Sequence, residues 1–94
     1  MRWAWDPNKE RANKRKHGLS FETAQLVFDD PLALSRVDPH AAEERWQTVG
    51  LIGHVAVFVV HTWSGASRTD GIGRIISARK ATRQERRAYE EGRF

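Results

Sequence analysis

GRIISARKATRQERRAY, residues 73–89, is the stretch from which the fold can be read. It opens as a strand at Arg74, Ile75, Ile76 and Ser77, passes a basic elbow at Arg79 and Lys80, and continues as a helix. Thr82 and Glu85 have capping-box spacing, in which the hydroxyl accepts from the N3 amide and the carboxylate accepts from the cap amide. Gly92 then stands where a helix stops. Only Ala88 and Tyr89 are non-polar in between, so core burial alone is not expected to hold this helix. Arg86 with Glu90 and Arg87 with Glu91 are i,i+4 pairs worth about 0.2–0.5 kcal/mol each. The expectation is a helix used by something outside the chain's own core. Beside it, Arg74, Arg79, Lys80 and Arg83 form a cluster suited to phosphate.

Upstream of this stretch, Arg2 to Trp5 alternates polar and aromatic residues and predicts a short first strand. Asp6 and Pro7 have the N-cap and N1 chemistry of a helix start, and the basic run to Lys16 complements the dipole at its end. His17-Gly18-Leu19 fits a Schellman stop. Ser20 caps a second helix whose apolar stripe is Phe21, Ala24, Val27 and Phe28. Beyond Pro31 the period changes to two. Strands are predicted at 33–37, 46–52 and 55–63, with a polar loop at 38–44 and a tight turn at Gly53-His54. The strand at 55–63 is apolar on both faces, which places it mid-sheet. A Gly/Ser/Thr/Asp loop at 64–73 leads into the last strand. The fold class is α+β, a small antiparallel sheet with two N-terminal helices and one C-terminal helix, in one domain spanning residues 1–94.

Charge is distributed unevenly along the 94 residues. Residues 1–18 hold six basic and two acidic side chains (+4), 19–67 hold two and six (−4), and 68–94 hold eight and four (+4), summing to the net +4. Two basic ends brought together would attract a polyanion. The absence of cysteine excludes disulfides, thiolate catalysis and cysteine zinc sites, and suits a reducing compartment. The sequence shows neither a signal peptide nor an apolar run of membrane-spanning length, so a cytoplasmic protein without membrane attachment is expected.

The four histidines are scattered, and no triad or metal-ligating spacing is legible. No metal or cofactor is expected. RNA cleavage by its own 2′-hydroxyl needs a base, an acid for the leaving 5′-oxygen and positive charge for the phosphorane. Arginine supplies that charge best, because its fork matches two phosphate oxygens and stays protonated. Arg74, Arg79 and Arg83, with the amides of a helix N-terminus, are the candidate clamp, Arg74 and Arg79 alternatively being in structural ion pairs with the acids around 29–30 or 43–44, and Lys80 is a candidate proton shuttle. His61, near the end of the central strand, is either a second proton carrier or a packed strand histidine. Trp63 is placed to stack a base, whereas Trp3, Trp5 and Trp46 read as packing. Arg68, Arg86 and Arg87 are further candidate RNA contacts, the last two alternatively a solvated helix face.

WDPNKERANKRKHGLSFETAQLVFDDP, VVHT and RIISARKATRQERRAYE together resemble the BrnT family, toxins of type II toxin–antitoxin modules. The resemblance covers most of the chain. It implies a RelE-like fold, endoribonuclease activity that arrests translation, and a BrnA-like antitoxin with a ribbon-helix-helix domain in a two-toxin, two-antitoxin complex. DNA would be contacted only through that antitoxin. Carried over, the basic positions of the RIISARKAT motif are Arg74, Arg79 and Lys80, followed by Arg83, while Lys16 and His17 match the family's KHG. The chain departs at Gly71-Ile72-Gly73, where a further basic residue is expected before Arg74. Two rivals stand beside a ribonuclease: a non-catalytic RNA- or ribosome-binding module, and an interaction subunit whose polar helices dock an acidic partner.

Overall fold

The computed structural model describes residues 2–39, 42–64 and 71–94. The loop at 65–70, and Arg68 with it, lies outside the described residues. Chain order is β1 (Arg2–Ala4), α1 (Pro7–His17), α2 (Phe21–Ala24), a 3-10 turn (Gln25–Asp29), β2 (Leu34–Val37), β3 (Trp46–Ile52), β4 (Val55–Ser64), β5 (Ile72–Lys80) and α3 (Arg83–Glu91). The five strands form one sheet in the order β1-β5-β4-β3-β2, and the α+β expectation holds.

The expected all-antiparallel sheet needs correcting. β1 runs parallel to β5, while the other three pairings are antiparallel. A three-residue strand carries no direction in its alternation, and the long stretch between β1 and β5 permits a parallel return. The second helix is also shorter than expected: it gives way to the 3-10 turn after Ala24.

The helix ends obey their local chemistry. Asp6 accepts from the Asn8 amide, Ser20 from Thr23, and Thr82 and Glu85 form the full capping box. Gly18 and Gly92 close α1 and α3 in the left-handed conformation that glycine adopts without steric penalty.

Phe21, Ala24 and Val27 pack on Val57, Val59, Ile75 and Ala78 to form the main core, on the sheet face that also carries Trp3. The opposite face holds a smaller apolar group, with buried Val49, Ala56 and Phe58. Phe94, beyond α3, lies edge-on to Phe58 at 6.3 Å. A bulge at Ile76 sets which side chains share a face. Val60 pairs with Ser77 but His61 with Ile75, so Ile75 and Ala78 both reach the core, and Arg74 and Arg79 both face the other way.

Two polar anchors replace the missing apolar stripes. Asn13 of α1 is buried and pairs with the β5 backbone, donating to Ala78 O at 2.8 Å and accepting from Ala78 N at 3.1 Å. Tyr89 of α3 donates to Asp30 at 2.6 Å. Core burial alone does not hold α3, which has no fully buried residue: Glu85, Ala88 and Tyr89 form its half-buried inner side, and Arg83, Arg86 and Arg87 its exposed one. Arg86 Nε approaches Glu90 at 3.9 Å on that outer side.

Candidate active site

Extension along β5 divides the expected cluster. Arg74 and Lys80 stand six residues apart on one strand, about 20 Å at the usual rise, so one phosphate cannot be held by both. Arg79, Lys80 and Arg83 do gather at one end of the sheet, but they point differently. Lys80 pairs with Val57 on the core face, whereas Arg79 pairs with Phe58 on the opposite face. The single pocket expected from the elbow is thus split in two.

On the Phe58 side, Arg79 is engaged internally. Its two terminal nitrogens meet both Glu85 oxygens at 2.8 and 3.0 Å, and its guanidinium lies 4.2 Å from the centre of the Phe58 ring. The side chains are 34% and 16% exposed, a half-buried bidentate pair. Burial alone would raise the Glu85 carboxyl, but the hydrogen bonds from Arg79 and the Thr82 amide outweigh it and hold the group below its ordinary value. Arg74 is exposed and has no hydrogen-bond or ion-pair partner among the described residues. Arg2 and Arg36 are exposed on the same face, Arg36 stacking 4.1 Å over Phe94 and donating to Gln47.

On the core side, Lys80 lines a cavity of about 200 Å³ together with His17, Gly18, Leu19 and Thr23. The structure therefore brings together the Lys-His-Gly end of α1 and the last residue of β5, which are 63 positions apart (80 − 17) in the chain. His17, Lys16 and Lys80 are all exposed, open to a large ligand. An imidazole and an ammonium at one opening can move a proton and stabilise phosphate charge.

His61 is 1% exposed. Its Nε2 meets Thr48 Oγ1 at 2.6 Å, and its Nδ1 lies 3.1 Å from the Thr62 carbonyl. Since a carbonyl only accepts, Nδ1 carries the proton and Thr48 donates to Nε2. Burial pushes the imidazole down to about 4, so it is neutral at physiological pH and shielded from bulk solvent. Trp63 is half-buried beside it and beside Trp3, on the face opposite Arg74. A base stacked on Trp63 and a phosphate on Arg74 would lie on different sides of the sheet.

The departure at Gly73 has a packing cause. A Cβ there would clash with the Trp3 ring. Trp3 in turn stacks on Phe28 at 3.8 Å and lies edge-on to His61 and Trp63. Any side chain at this position would require the Trp3 ring to shift and so disturb its contacts with Phe28, His61 and Trp63.

Sequence reasoning missed Asp30, Asn13 and Thr48. Asp30 accepts from the amides of Leu32 and Leu51 and from Tyr89, joining the 3-10 turn, β3 and α3. Burial opposes its charge, yet these hydrogen bonds together hold the carboxyl below its ordinary value. The same bond to Asp30, with burial and the carboxylate's charge, pushes the Tyr89 phenol up to about 12. The second acid of Asp29-Asp30-Pro31 reads as a helix-ending turn residue, and only the long-range contacts reveal more. Among the described residues no helix is long and apolar enough to cross a membrane.

Residues 5–85 match the family model described as "Ribonuclease toxin, BrnT, of type II toxin-antitoxin system". No curated protein matches the chain.

Proposed function

Because the chain belongs to the BrnT family, the ribonuclease toxins of type II toxin–antitoxin systems, we propose that it is an endoribonuclease working at the opening shared by His17 and Lys80. The observation that carries this reading is that both line one cavity at the exposed end of the sheet. His17 takes the proton from a 2′-hydroxyl, whose oxygen attacks the adjacent phosphorus. The Lys80 ammonium neutralises charge on the phosphorane and gives a proton to the departing 5′-oxygen. The products are a 2′,3′-cyclic phosphate and a free 5′-hydroxyl, and the proton passes back from His17 to Lys80. No metal takes part. Lys16 and Arg83 draw the strand in, Arg86 and Arg87 extend that path along α3, and Arg74 holds a more distant phosphate. In this reading Arg79 acts as a positioning residue that fixes the start of α3 through Glu85, and His61 holds the sheet face from within.

The protein acts in the cytoplasm, where a BrnA-like ribbon-helix-helix antitoxin neutralises it in a two-toxin, two-antitoxin complex. Purified protein incubated with total RNA tests the reading: cleavage is expected, with His17→Ala and Lys80→Ala inactive though folded. Salt-sensitive RNA binding by the unaltered protein without any cleavage would instead establish the non-catalytic binding module.

A further inference from the structure

The cavity shared by His17 and Lys80 has an apolar interior that proton transfer does not require. Leu19, Ile52, Val55 and Val57 supply it, and no acidic side chain lines it among the described residues. Val57 is buried, Leu19 and Ile52 are half-buried, and Val55 is 42% exposed. The residues flanking 65–70 pair at the other end of the sheet, Ser64 with Ile72, about 26 Å along β5 from Lys80. Val37 and Trp46, on either side of 40–41, also pair at that end, about 20 Å along β3 from Ile52.

The walls are fixed from within. Buried Asn13 donates to Leu19 O at 3.1 Å and to Ala78 O at 2.8 Å, and accepts from Ala78 N at 3.1 Å. It thereby ties the Gly18-Leu19 turn to β5 two residues before Lys80. Just past Lys80, Ala81 N donates to Ala56 O at 2.9 Å and holds the end of β5 against β4. The cavity is therefore formed before any ligand arrives. Its volume of about 200 Å³ falls below the ~300–1,000 Å³ of pockets for drug-sized ligands, so it takes one small group and is too small for a main chain. The complement of such a site is a compact apolar body with negative charge at its edge. A nucleotide is divided in this way: its ring fits apolar walls by dispersion, and its phosphate meets the basic side chains at the mouth.

We propose that this cavity is a base subsite, taking one unstacked nucleobase of single-stranded RNA beside the phosphate held at His17 and Lys80. The inference rests on the ribonuclease reading above and deepens it by naming the substrate class: RNA whose nucleotide at the scissile bond stands outside a helical stack. Aliphatic walls hold the faces of a ring without reading its edge, so the subsite tolerates different bases. A protein segment with a leucine next to a carboxylate is the poorer occupant, because a docking segment needs a groove along which its backbone can run.

The test follows the Leu, Ile and Val methyl resonances of the isotope-labelled full chain during titration with uridine 5′-monophosphate, ribose 5-phosphate and N-acetyl-leucyl-glutamate amide. The nucleotide is expected to shift the Leu19, Ile52 and Val55 methyls and to bind about tenfold tighter than ribose 5-phosphate, which lacks the base. Val55→Asp, a change at an exposed position whose effect on folding the free spectrum reports, should weaken the nucleotide by about tenfold. Equal binding of nucleotide and ribose 5-phosphate, or no nucleotide shift at these methyls, overturns the proposal. Tighter binding of the leucyl-glutamate probe at the same methyls overturns it in favour of a protein-docking site. Incubating the unaltered chain with total RNA decides the ribonuclease reading separately. Cleavage with equal binding of the two phosphates overturns the subsite alone, whereas nucleotide shifts without cleavage keep the subsite and overturn the catalysis.

Discussion

The two faces of the sheet satisfy their polar groups by different means. On the helix-packed face, Ser35, Thr48 and His61 form a neutral hydrogen-bonded chain beneath Trp3, Phe28 and Trp63. On the face under α3, Arg79 and Glu85 form a charged pair over Phe58, with Arg2, Arg36 and Arg74 around it. Neutral networks are sensitive to protonation of a buried base, whereas charged pairs are sensitive to loss of a carboxylate. Acid and salt should therefore act on the two faces in different windows. His17 and Lys80 sit at the end of the sheet, outside both networks, which leaves them free for a substrate.

The largest expected effect separates that end from either face. His17→Ala and Lys80→Ala should each lower kcat/KM for RNA cleavage by about 10²–10⁴-fold, the usual worth of a positioned proton carrier. Their thermal unfolding should stay near that of the unaltered chain, because both side chains are exposed. Arg79→Ala should instead lower activity and thermal stability together. An Arg79→Ala protein of unchanged stability but abolished cleavage would return Arg79 to the chemistry, and with it the basic elbow as a single pocket.

Much of the fold is legible because local chemistry writes it: Asp6, Ser20, Thr82 and the glycines that end α1 and α3 behave as their types dictate. Faces and distances are not legible in the same way. One bulge at Ile76 changes which β5 residues share a side, and nothing in RIISARK marks it. The basic cluster looks compact in sequence because a strand followed by a helix suggests a bend, whereas β5 runs straight through Lys80. His17 looks like a helix-end residue alone, since its proximity to Lys80 depends on how α1 crosses β5. Arg79 does form an internal ion pair, but with Glu85 instead of the acids around 29–30 or 43–44, because in sequence Glu85 already has a local role in the capping box.

The next effect in size is pH-dependent stability on the helix-packed face. His61 titrates near 4 in the folded chain against an ordinary 6.5. Between those values the unfolded chain binds the extra proton, so stability is complete above about pH 6.5 and is lost as pH falls toward 4. The loss is on the order of 3 kcal/mol, at about 1.36 kcal/mol for each pH unit that separates the two values. Denaturant midpoints measured across that window should show the slope, and His61→Gln should flatten it while costing stability at neutral pH. A flat profile in the unaltered chain would mean that His61 is solvated.

Below that window the other face takes over. Glu85 is held under its ordinary 4.5, so its contribution is present above that value and disappears as pH falls beneath it. Glu85→Gln should remove the charge pair and weaken the capping box, costing about 1–2 kcal/mol at pH 7, and should leave the acid slope due to His61 intact. The two changes lie on opposite faces without a shared partner, so their costs should add to within about 0.5 kcal/mol. A clear departure from additivity would show that the sheet transmits strain between its faces.

The smallest effect tests whether the arginine face meets RNA at all. Arg74 is the exposed member without a partner among the described residues, so truncating it costs no internal contact. If a phosphate lies there, Arg74→Ala should weaken RNA binding by a few-fold and flatten the slope of log affinity against log salt by about 0.7, the value for one single-strand phosphate contact. Cleavage rate at saturating RNA should not change, because the side chain stands about 20 Å along the strand from Lys80. An unchanged salt slope would confine the RNA path to the end of the sheet and α3, leaving the arginine face for another partner. A fall in saturated rate would mean that RNA held at Arg74 is needed to align the phosphate at His17, and the two regions would then form one site.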